Sequence, residues 1–345
     1  MKTYNVAIVG ATGAVGQKIL QLLEESTVPI NSLKLLASKR SVGKTYLFKG
    51  NEYKIEETTK DSFETIDIAF FSAGGSITKA YQQAARDSGA VVIDNTSAFR
   101  MDENTPLVVP EVNPSALDNH TGLIANPNCS TIQMVVALKP IEKNFGLNRV
   151  IVSTYQAVSG AGLSALEELE SQTKQMLAGE EVEAAILPAA SDKKHYPIAF
   201  NVLPQIDQFS DEGYTFEEWK MIRETKKILN RPDLKVSATC VRVPVIQGHS
   251  ESVYVEVDQE GVTVDDFRAA LNKAEGIVLQ DDPANQIYPH PLAAANLKET
   301  FVGRIRKDPD DPKGFHLWIV SDNLVKGAAL NSIQIAEKMI EKELI

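Results

Sequence analysis

Two stretches of this 345-residue chain carry residue types that could do chemistry together. The first centres on Cys129, in Leu123-Ile-Ala-Asn-Pro-Asn-Cys-Ser-Thr131. There a short apolar run passes through polar turn residues into the helical pattern IQMVVALKPIEK. A cysteine at a helix start gains thiolate character from the dipole and the free amides. The same amides can hold an oxyanion on an attacked carbonyl. A lone cysteine is more often a small buried hydrophobe, but Asn126, Pro127 and Asn128 are turn residues that packing does not call for. Cys240, inside a β-rich run, reads as a core residue, although it shares a face with Arg242.

The second stretch is a glycine turn, Gly10-Ala-Thr-Gly13-Ala-Val-Gly16, set directly between the strand pattern YNVAIV and a helical pattern reaching Leu23. Glycines let backbone approach a pyrophosphate, and the helix N-terminus supplies amides and partial positive charge. A tight turn with no ligand is the alternative, and the strand-turn-helix context is what favours the dinucleotide. The end of the second strand points to which one. An NAD site usually places Asp or Glu there for the ribose hydroxyls. This chain offers Ala37-Ser38-Lys39-Arg40-Ser41, with no acid and two bases, which suits the 2′-phosphate of NADP better than a merely solvated basic loop. A thiolate beside a nicotinamide implies aldehyde dehydrogenase chemistry, in which the thiol takes an acyl group and hydride exchanges with the thioester or hemithioacetal.

Elements must position these groups. The first ~130 residues alternate short apolar runs with helical patterns, the βαβ signature of a parallel, doubly wound sheet. Its expected strands are Tyr4–Val9, Leu33–Ser38, Ile66–Ser72, Val91–Asp94, Leu107–Val109 and Leu123–Ala125. The second half carries longer strand-like segments, 149–159, 236–245 and 252–260, between helical stretches. In 236–245 the residues Ala238, Cys240 and Arg242 share one face, and Val241, Val243 and Val245 the other. Thr215-Phe-Glu-Glu218 reads as a capping box opening a helix. Glu180–Lys194 reads as a surface helix or loop, and 327–343 as an amphipathic helix. The length suits two domains. The fold expected is α/β, with boundaries 1–128 plus the C-terminal helix 327–345 for the nucleotide domain and 129–326 for a catalytic domain.

Composition limits the partners. A net charge of −11 argues against nucleic acid or an anionic membrane as the main partner. No apolar run approaches the ~18 residues of a span, and the N-terminal residues lack a signal-peptide pattern. Two cysteines give no disulfide framework. A cytoplasmic protein with no metal site is the expectation.

Taken together, GATGAVG, DNTSAFR (94–100), NPNCST (126–131), YQAVSGAG (155–162), EEWK (217–220), RVPVIQGHSES (242–252) and DNLVKGAALN (322–331) resemble the aspartate-semialdehyde dehydrogenase family, in its bacterial branch, over nearly the whole chain. The resemblance implies a Rossmann-like N-terminal domain and an α+β catalytic and dimerisation domain of the glyceraldehyde-3-phosphate-dehydrogenase-like kind. It implies NADPH-dependent reductive dephosphorylation of L-aspartyl 4-phosphate to L-aspartate 4-semialdehyde and phosphate through a cysteine thioester. That reaction belongs to lysine (diaminopimelate), threonine, methionine and isoleucine biosynthesis.

The resemblance also assigns residues. Cys129 would carry the acyl group, His249 would be the acid–base residue and Gln156 would orient the intermediate. Arg242 would bind the α-carboxylate and Glu217 the ammonium. Arg100 and Lys220, with Asn128, would hold the phosphate. NADP would lie on Gly10, Thr12, Gly13, Ala14, Val15, Gly16, Ser38, Arg40, Ser41, Ser72 and Gly74, with Ser159, Gly160 and Asn323 at its nicotinamide end. A homodimer is implied. Read without the family, Glu217 and Lys220 would be an exposed i,i+3 ion pair, and His249 a turn histidine like His120, His195, His290 and His316.

The nearest rival is N-acetyl-γ-glutamyl-phosphate reductase, which performs the same chemistry on an acylated nitrogen. Glu217 argues against it, since that nitrogen has no charge to bind. A short-chain reductase would need Tyr-x-x-x-Lys, and none of the nine tyrosines has it. A non-catalytic NADP sensor would not need a reactive thiol at a helix start.

Overall fold

The structure, a computed structural model, describes residues 2–345. The chain forms two compact units: one runs up to Asn128 and takes back Ala328–Ile345, and the other is Cys129–Gly327.

The first unit is a seven-stranded sheet with strands β1 (Tyr4–Val9), β2 (Ile30–Ala37), β3 (Thr45–Phe48), β4 (Asn51–Glu57), β5 (Ile68–Phe71), β6 (Val91–Asp94) and β7 (Leu123–Ala125), and helices α1 (Ala14–Leu23) and α2 (Gly75–Asp87). The strand order is β3-β4-β2-β1-β5-β6-β7, and every neighbouring pair is parallel except the β3–β4 hairpin. Central strands such as IAFF are buried along their whole length, as a sheet covered on both faces requires. The C-terminal helix, Leu330–Glu341, packs against α1 and β6 of this unit. It ties down the loop after β7: Asn331 Nδ2 donates to Asn126 Oδ1 at 2.7 Å and to the Val108 carbonyl at 3.0 Å.

The second unit is a six-stranded mixed sheet with strands β8 (Arg149–Gln156), β9 (Lys235–Arg242), β10 (His249–Glu256), β11 (Ile277–Leu279), β12 (Thr300–Lys307) and β13 (Gly314–Ser321), in the order β11-β12-β13-β10-β8-β9. Helices α3 (Cys129–Phe145), α5 (Phe216–Ile228) and α6 (Val264–Asn272) pack together with strands β9, β11, β12 and β13, while α4 (Leu163–Ala178) forms a satellite core with the loop that follows it. Strand β8 alternates: Val150, Val152, Thr154 and Gln156 are buried, while Ile151 and Tyr155 are exposed on the other face. This one-sided burial puts side chains two residues apart on the same covered face, which is how the site below is assembled.

Several expectations need correction. Leu107–Val109 is not a strand but a single bridge, Leu107 to Ala125. Pro110 has no N–H to extend a ladder, and the Val109 amide turns instead to Asn113 Oδ1 at 2.9 Å. Strand β2 starts three residues earlier than expected and β5 is shorter at both ends. The β3–β4 hairpin and β11, β12 and β13 were not anticipated. The segment 149–159 stops being a strand at Gln156 and continues as a 3-10 turn, Val158–Ala161. Residues 180–194 take the loop form of the expected helix or loop. The last helix begins only at Leu330, after a π turn at Val325–Ala329.

Candidate active site

In the first unit the chain leaves β1 through Gly10, whose φ of +89 suits glycine. A Cβ there would lie 2.9 Å from the Ala73 amide nitrogen, and one on Gly16 would lie 2.1 Å from the Gly10 carbonyl oxygen. The turn is therefore glycine because backbone crowds backbone. Helix α1 starts after Gly13 with no side-chain cap, so its first amides have no competitor for an anion. Beside them is a cavity of ≈ 560 Å³ lined by Gly10, Thr12, Gly13, Ser38, Arg40 and Ser72, among others. Of the other residues expected here, Ala14, Val15 and Gly16 form the first turn of α1, Ser41 ends the 3-10 turn that carries Arg40, and Gly74 precedes α2. Glu57, the last residue of β4, and Thr58 just after it line the same cavity. The carboxylate missing at the end of β2 is thus supplied next door by β4.

Arg100 and Asn128, both buried, also belong to this unit. Arg100 Nε donates to the Asn126 carbonyl at 2.9 Å and Nη2 to the Asn95 carbonyl at 2.8 Å. Its guanidinium is clamped against the turn that leads to the cysteine.

The second unit begins with Cys129 as the first residue of α3, half-buried, and neither cysteine is in a disulfide. Its Sγ lies 3.2 Å from His249 Nε2. The other ring nitrogen is taken: Nδ1 accepts the Ala157 amide proton at 3.0 Å. An amide cannot donate to a protonated nitrogen, so the neutral imidazole holds its one proton on Nε2, facing the sulfur. His249 is fully buried. Burial, and then the Arg242 charge, hold its pKa down to about 3, with Glu217 opposing. The ring is therefore neutral across the physiological range.

Arg242, also buried, donates from Nη1 to the Ala157 carbonyl at 2.8 Å. One residue thus orients both side chains, Ala157 holding His249 through its N–H and Arg242 through its carbonyl. Arg242 Nε is buried without a partner, a donor that a carboxylate could take. Burial pulls the Arg242 pKa below its usual value, against the pull of Glu217; arginine keeps its charge regardless.

Gln156 stands opposite Arg242 in the β8–β9 register. It accepts from Thr154 Oγ1 at 2.9 Å and donates to Glu217 Oε1 at 3.1 Å. Glu217 lies in the first turn of α5, which opens with the expected Thr215–Glu218 capping box. The Lys220 ammonium is held by Asp207 at 2.9 Å and Glu217 at 3.2 Å. Asn323 Oδ1 accepts the Gly248 amide at 2.9 Å, and Asn323 Nδ2 donates to Ser159 Oγ at 3.0 Å. Cys240 is fully buried against Met221 Sδ at 3.6 Å. Burial, with Glu217 nearby, pushes its thiol pKa well up, which makes it a poor nucleophile.

Gly160, expected at the nicotinamide end, and Gly327 also have packing roles that reading the sequence missed. A Cβ on Gly160 would lie 3.0 Å from Arg242 Nη1 and 3.3 Å from His249 Cε1. A Cβ on Gly327 would lie 2.9 Å from the Cys129 Cβ. Both let backbone pass against the reactive side chains. Nothing local marks them, since neither has a positive φ.

Comparison with known proteins follows the same division. The family model described as "Semialdehyde dehydrogenase, NAD binding domain" matches residues 5–120, and "Semialdehyde dehydrogenase, dimerisation domain" matches residues 138–326. The chain is 60% identical over 341 residues to an aspartate-semialdehyde dehydrogenase of Bacillus subtilis, covering 99% of each chain. Among solved structures, aspartate semialdehyde dehydrogenase II of Vibrio cholerae complexed with ASA superposes with a TM-score of 0.93 at 45% identity, covering 99% of each chain. An aspartate semialdehyde dehydrogenase of Candida albicans with NADP gives a TM-score of 0.77 at 25% identity, covering all of both chains.

Proposed function

Because the chain belongs to the aspartate-semialdehyde dehydrogenase family, we propose that it reduces L-aspartyl 4-phosphate to L-aspartate 4-semialdehyde with NADPH, through a thioester on Cys129. The observation that carries this reading is the Cys129–His249 contact, with the imidazole proton fixed on the nitrogen facing sulfur. A thiolate at the start of α3 is favoured twice, by that Nε2–H and by the helix amides.

The sulfur adds to the acyl carbonyl, the bond from carbon to the phosphate oxygen breaks, and phosphate departs with the electron pair, taking up one proton from solvent to leave as hydrogen phosphate. A reduced nicotinamide, when bound, supplies the hydride that the thioester carbon needs. Collapse of the resulting oxyanion re-forms the carbonyl as aldehyde and expels the thiolate. No step in this direction asks the imidazole to give up its proton entirely. His249 therefore acts as a fixed donor to sulfur and to developing negative charge.

Arg242 binds the α-carboxylate through its buried guanidinium, and Glu217 the ammonium. Gln156, already anchored between Thr154 and Glu217, orients the acyl group. Lys220 holds the phosphate, and so do Arg100 and Asn128. The glycine turn, Thr12, Ser38, Arg40, Ser41, Ser72 and Gly74 hold the nucleotide, and Ser159, Gly160 and Asn323 its nicotinamide end. The solved relative carrying NADP supports that choice. The match to a dimerisation domain supports a homodimer, which sedimentation of the purified chain checks.

The test follows NADPH formation from NADP and aspartate semialdehyde, with and without phosphate. Phosphate-dependent formation is expected, and no reaction at all would sink the proposal. Reduction of N-acetyl-γ-glutamyl phosphate in preference to aspartyl phosphate would transfer the assignment to the acylated substrate.

A further inference from the structure

Glu251 has no part in the chemistry above, yet it lies beneath it. It follows His249 by two residues on β10 and so points to the same face of the sheet. It stands opposite Thr154 on β8, which in turn stands opposite Cys240 on β9. The side chain is fully buried and neither carboxyl oxygen has a partner in full hydrogen-bond geometry, although the Gln133 side chain is close enough to act on it.

A second orphan faces this site. Gln133 lies on α3, one turn after Cys129, and its Nε2 donates to the His249 carbonyl at 3.3 Å. Its Oε1 is buried and receives no proton. Turning the amide over would set Oε1 against the His249 carbonyl, acceptor against acceptor, so its orientation is fixed. An ionised Glu251 offers only further acceptors. A protonated one has a single O–H to give, and Gln133 Oε1 is the neighbouring acceptor that lacks a donor.

We infer that Glu251 is a positioning residue that carries its proton in the resting enzyme and, through Gln133, holds the His249 backbone against the helix that begins at Cys129. Burial, and to a lesser degree the like charge of Glu217 on α5, hold the Glu251 carboxyl well above the usual carboxylate range, against the opposing pull of a hydrogen bond from the Gln133 side chain. The remaining groups on this face agree with a neutral acid. His249 is neutral, Cys240 on β9 is a thiol, and Glu218 on α5 is turned to the Cys240 amide at 3.0 Å. The Arg242 charge is then left for Glu217 and the substrate carboxylate. A second buried anion would also oppose the thiolate on Cys129.

The kinetic half of this inference rests on Cys129 and His249 being the reacting pair, whereas its protonation half does not. Two variants and one spectrum test both. Glu251→Leu removes the donor and should lower kcat about tenfold, the loss of roughly one ordering hydrogen bond, with the semialdehyde KM unchanged. Glu251→Gln keeps an N–H for Gln133 Oε1 and should restore kcat to within about threefold of wild type. An infrared difference spectrum of wild type minus Glu251→Gln at pH 7 should show the C=O stretch of a protonated carboxyl, and it needs no turnover. A carboxylate band in its place would overturn the inference even if Glu251→Leu failed to fold. So would a Gln variant as impaired as the Leu variant, or a Leu variant with wild-type kcat.

Discussion

In the first unit the candidate ligand groove is made of backbone and open side chains: Ser38 and Arg40 are exposed, and the crowding at Gly10 and Gly16 is between main-chain atoms. In the second unit His249, Gln156, Arg242 and Glu217 are all nearly or fully buried, and each is bonded to another member or to the backbone of Ala157. An exposed contact adds a modest, salt-screened increment that can be removed alone. A buried network is built for joint effect, because losing one member strands its partners without water to replace it. The two regions should therefore answer mutation differently, additively in the groove and cooperatively in the network.

The sharpest way to break this contrast is Cys129→Ala. Turnover should fall by roughly 10⁴-fold or more, as loss of a covalent nucleophile does, while NADP affinity measured by titration stays near wild type. Iodoacetamide should label Cys129 well before the buried Cys240. An active alanine variant, or labelling that starts at Cys240, would end the assignment.

Next in size is Arg242→Lys. It keeps the charge but loses the fork and the bond to the carbonyl of Ala157, the residue whose N–H holds His249. Steady-state kinetics should show kcat/KM for the semialdehyde down on the order of 10²–10³-fold, the range for a buried charged contact, with the phosphate KM nearly constant. Lys220→Ala should show the reverse pattern. Equal damage to both substrates by both variants would mean that the division of labour is wrong.

Arg40→Ala probes the open groove. An exposed arginine–phosphate contact of roughly 1.5–3 kcal/mol corresponds to about 10–150-fold in NADP affinity, with NAD changed little. Raised salt should narrow the NADP-to-NAD ratio in the wild type. Glu57 lines the same cavity, so Glu57→Gln is the informative companion: if NAD is the nucleotide gripped there, this variant and not Arg40→Ala will change binding.

The smallest effect concerns pH. The native pKa of His249, about 3, is below its unfolded value of roughly 6.5. Between those values the unfolded chain binds the extra proton, so this contribution is full above about pH 6.5 and is lost as pH falls toward 3. From pH 7 to pH 5 the loss should be about 2 kcal/mol. Urea denaturation of wild type and His249→Gln at both pH values isolates it. Equal losses in the two proteins would show that the native imidazole titrates normally.

What could be read in advance was local. The parallel strands announced themselves as continuous apolar runs, the glycine turn by its flanks, and the Thr215–Glu218 box by a spacing of one helical turn. Cys129 could be placed at a helix start because turn residues and an apolar helical pattern adjoin it. The β3–β4 hairpin was invisible because β3 and β4 each bury a single side chain, Phe48 and Ile55, which leaves no period to detect. Leu107–Val109 misled for the opposite reason: its apolar residues are core, but its backbone is between prolines.

By itself, then, the sequence determined the buried parallel strands and the helices with clear caps or periods, where thiol and glycines sit on them, and that the end of β2 has bases and no acid. These follow from interactions within a few residues of one another. Only the tertiary structure decided that Cys129 meets His249, 120 positions away, that the Ala157 amide selects the imidazole tautomer, that β4 returns a carboxylate to the groove, and that Glu251 is sealed beneath the site. Those facts depend on strand register and on which face of a sheet is covered. A chain that shows only its own neighbours cannot display either one, because both are set when distant segments compete to bury the same apolar surface.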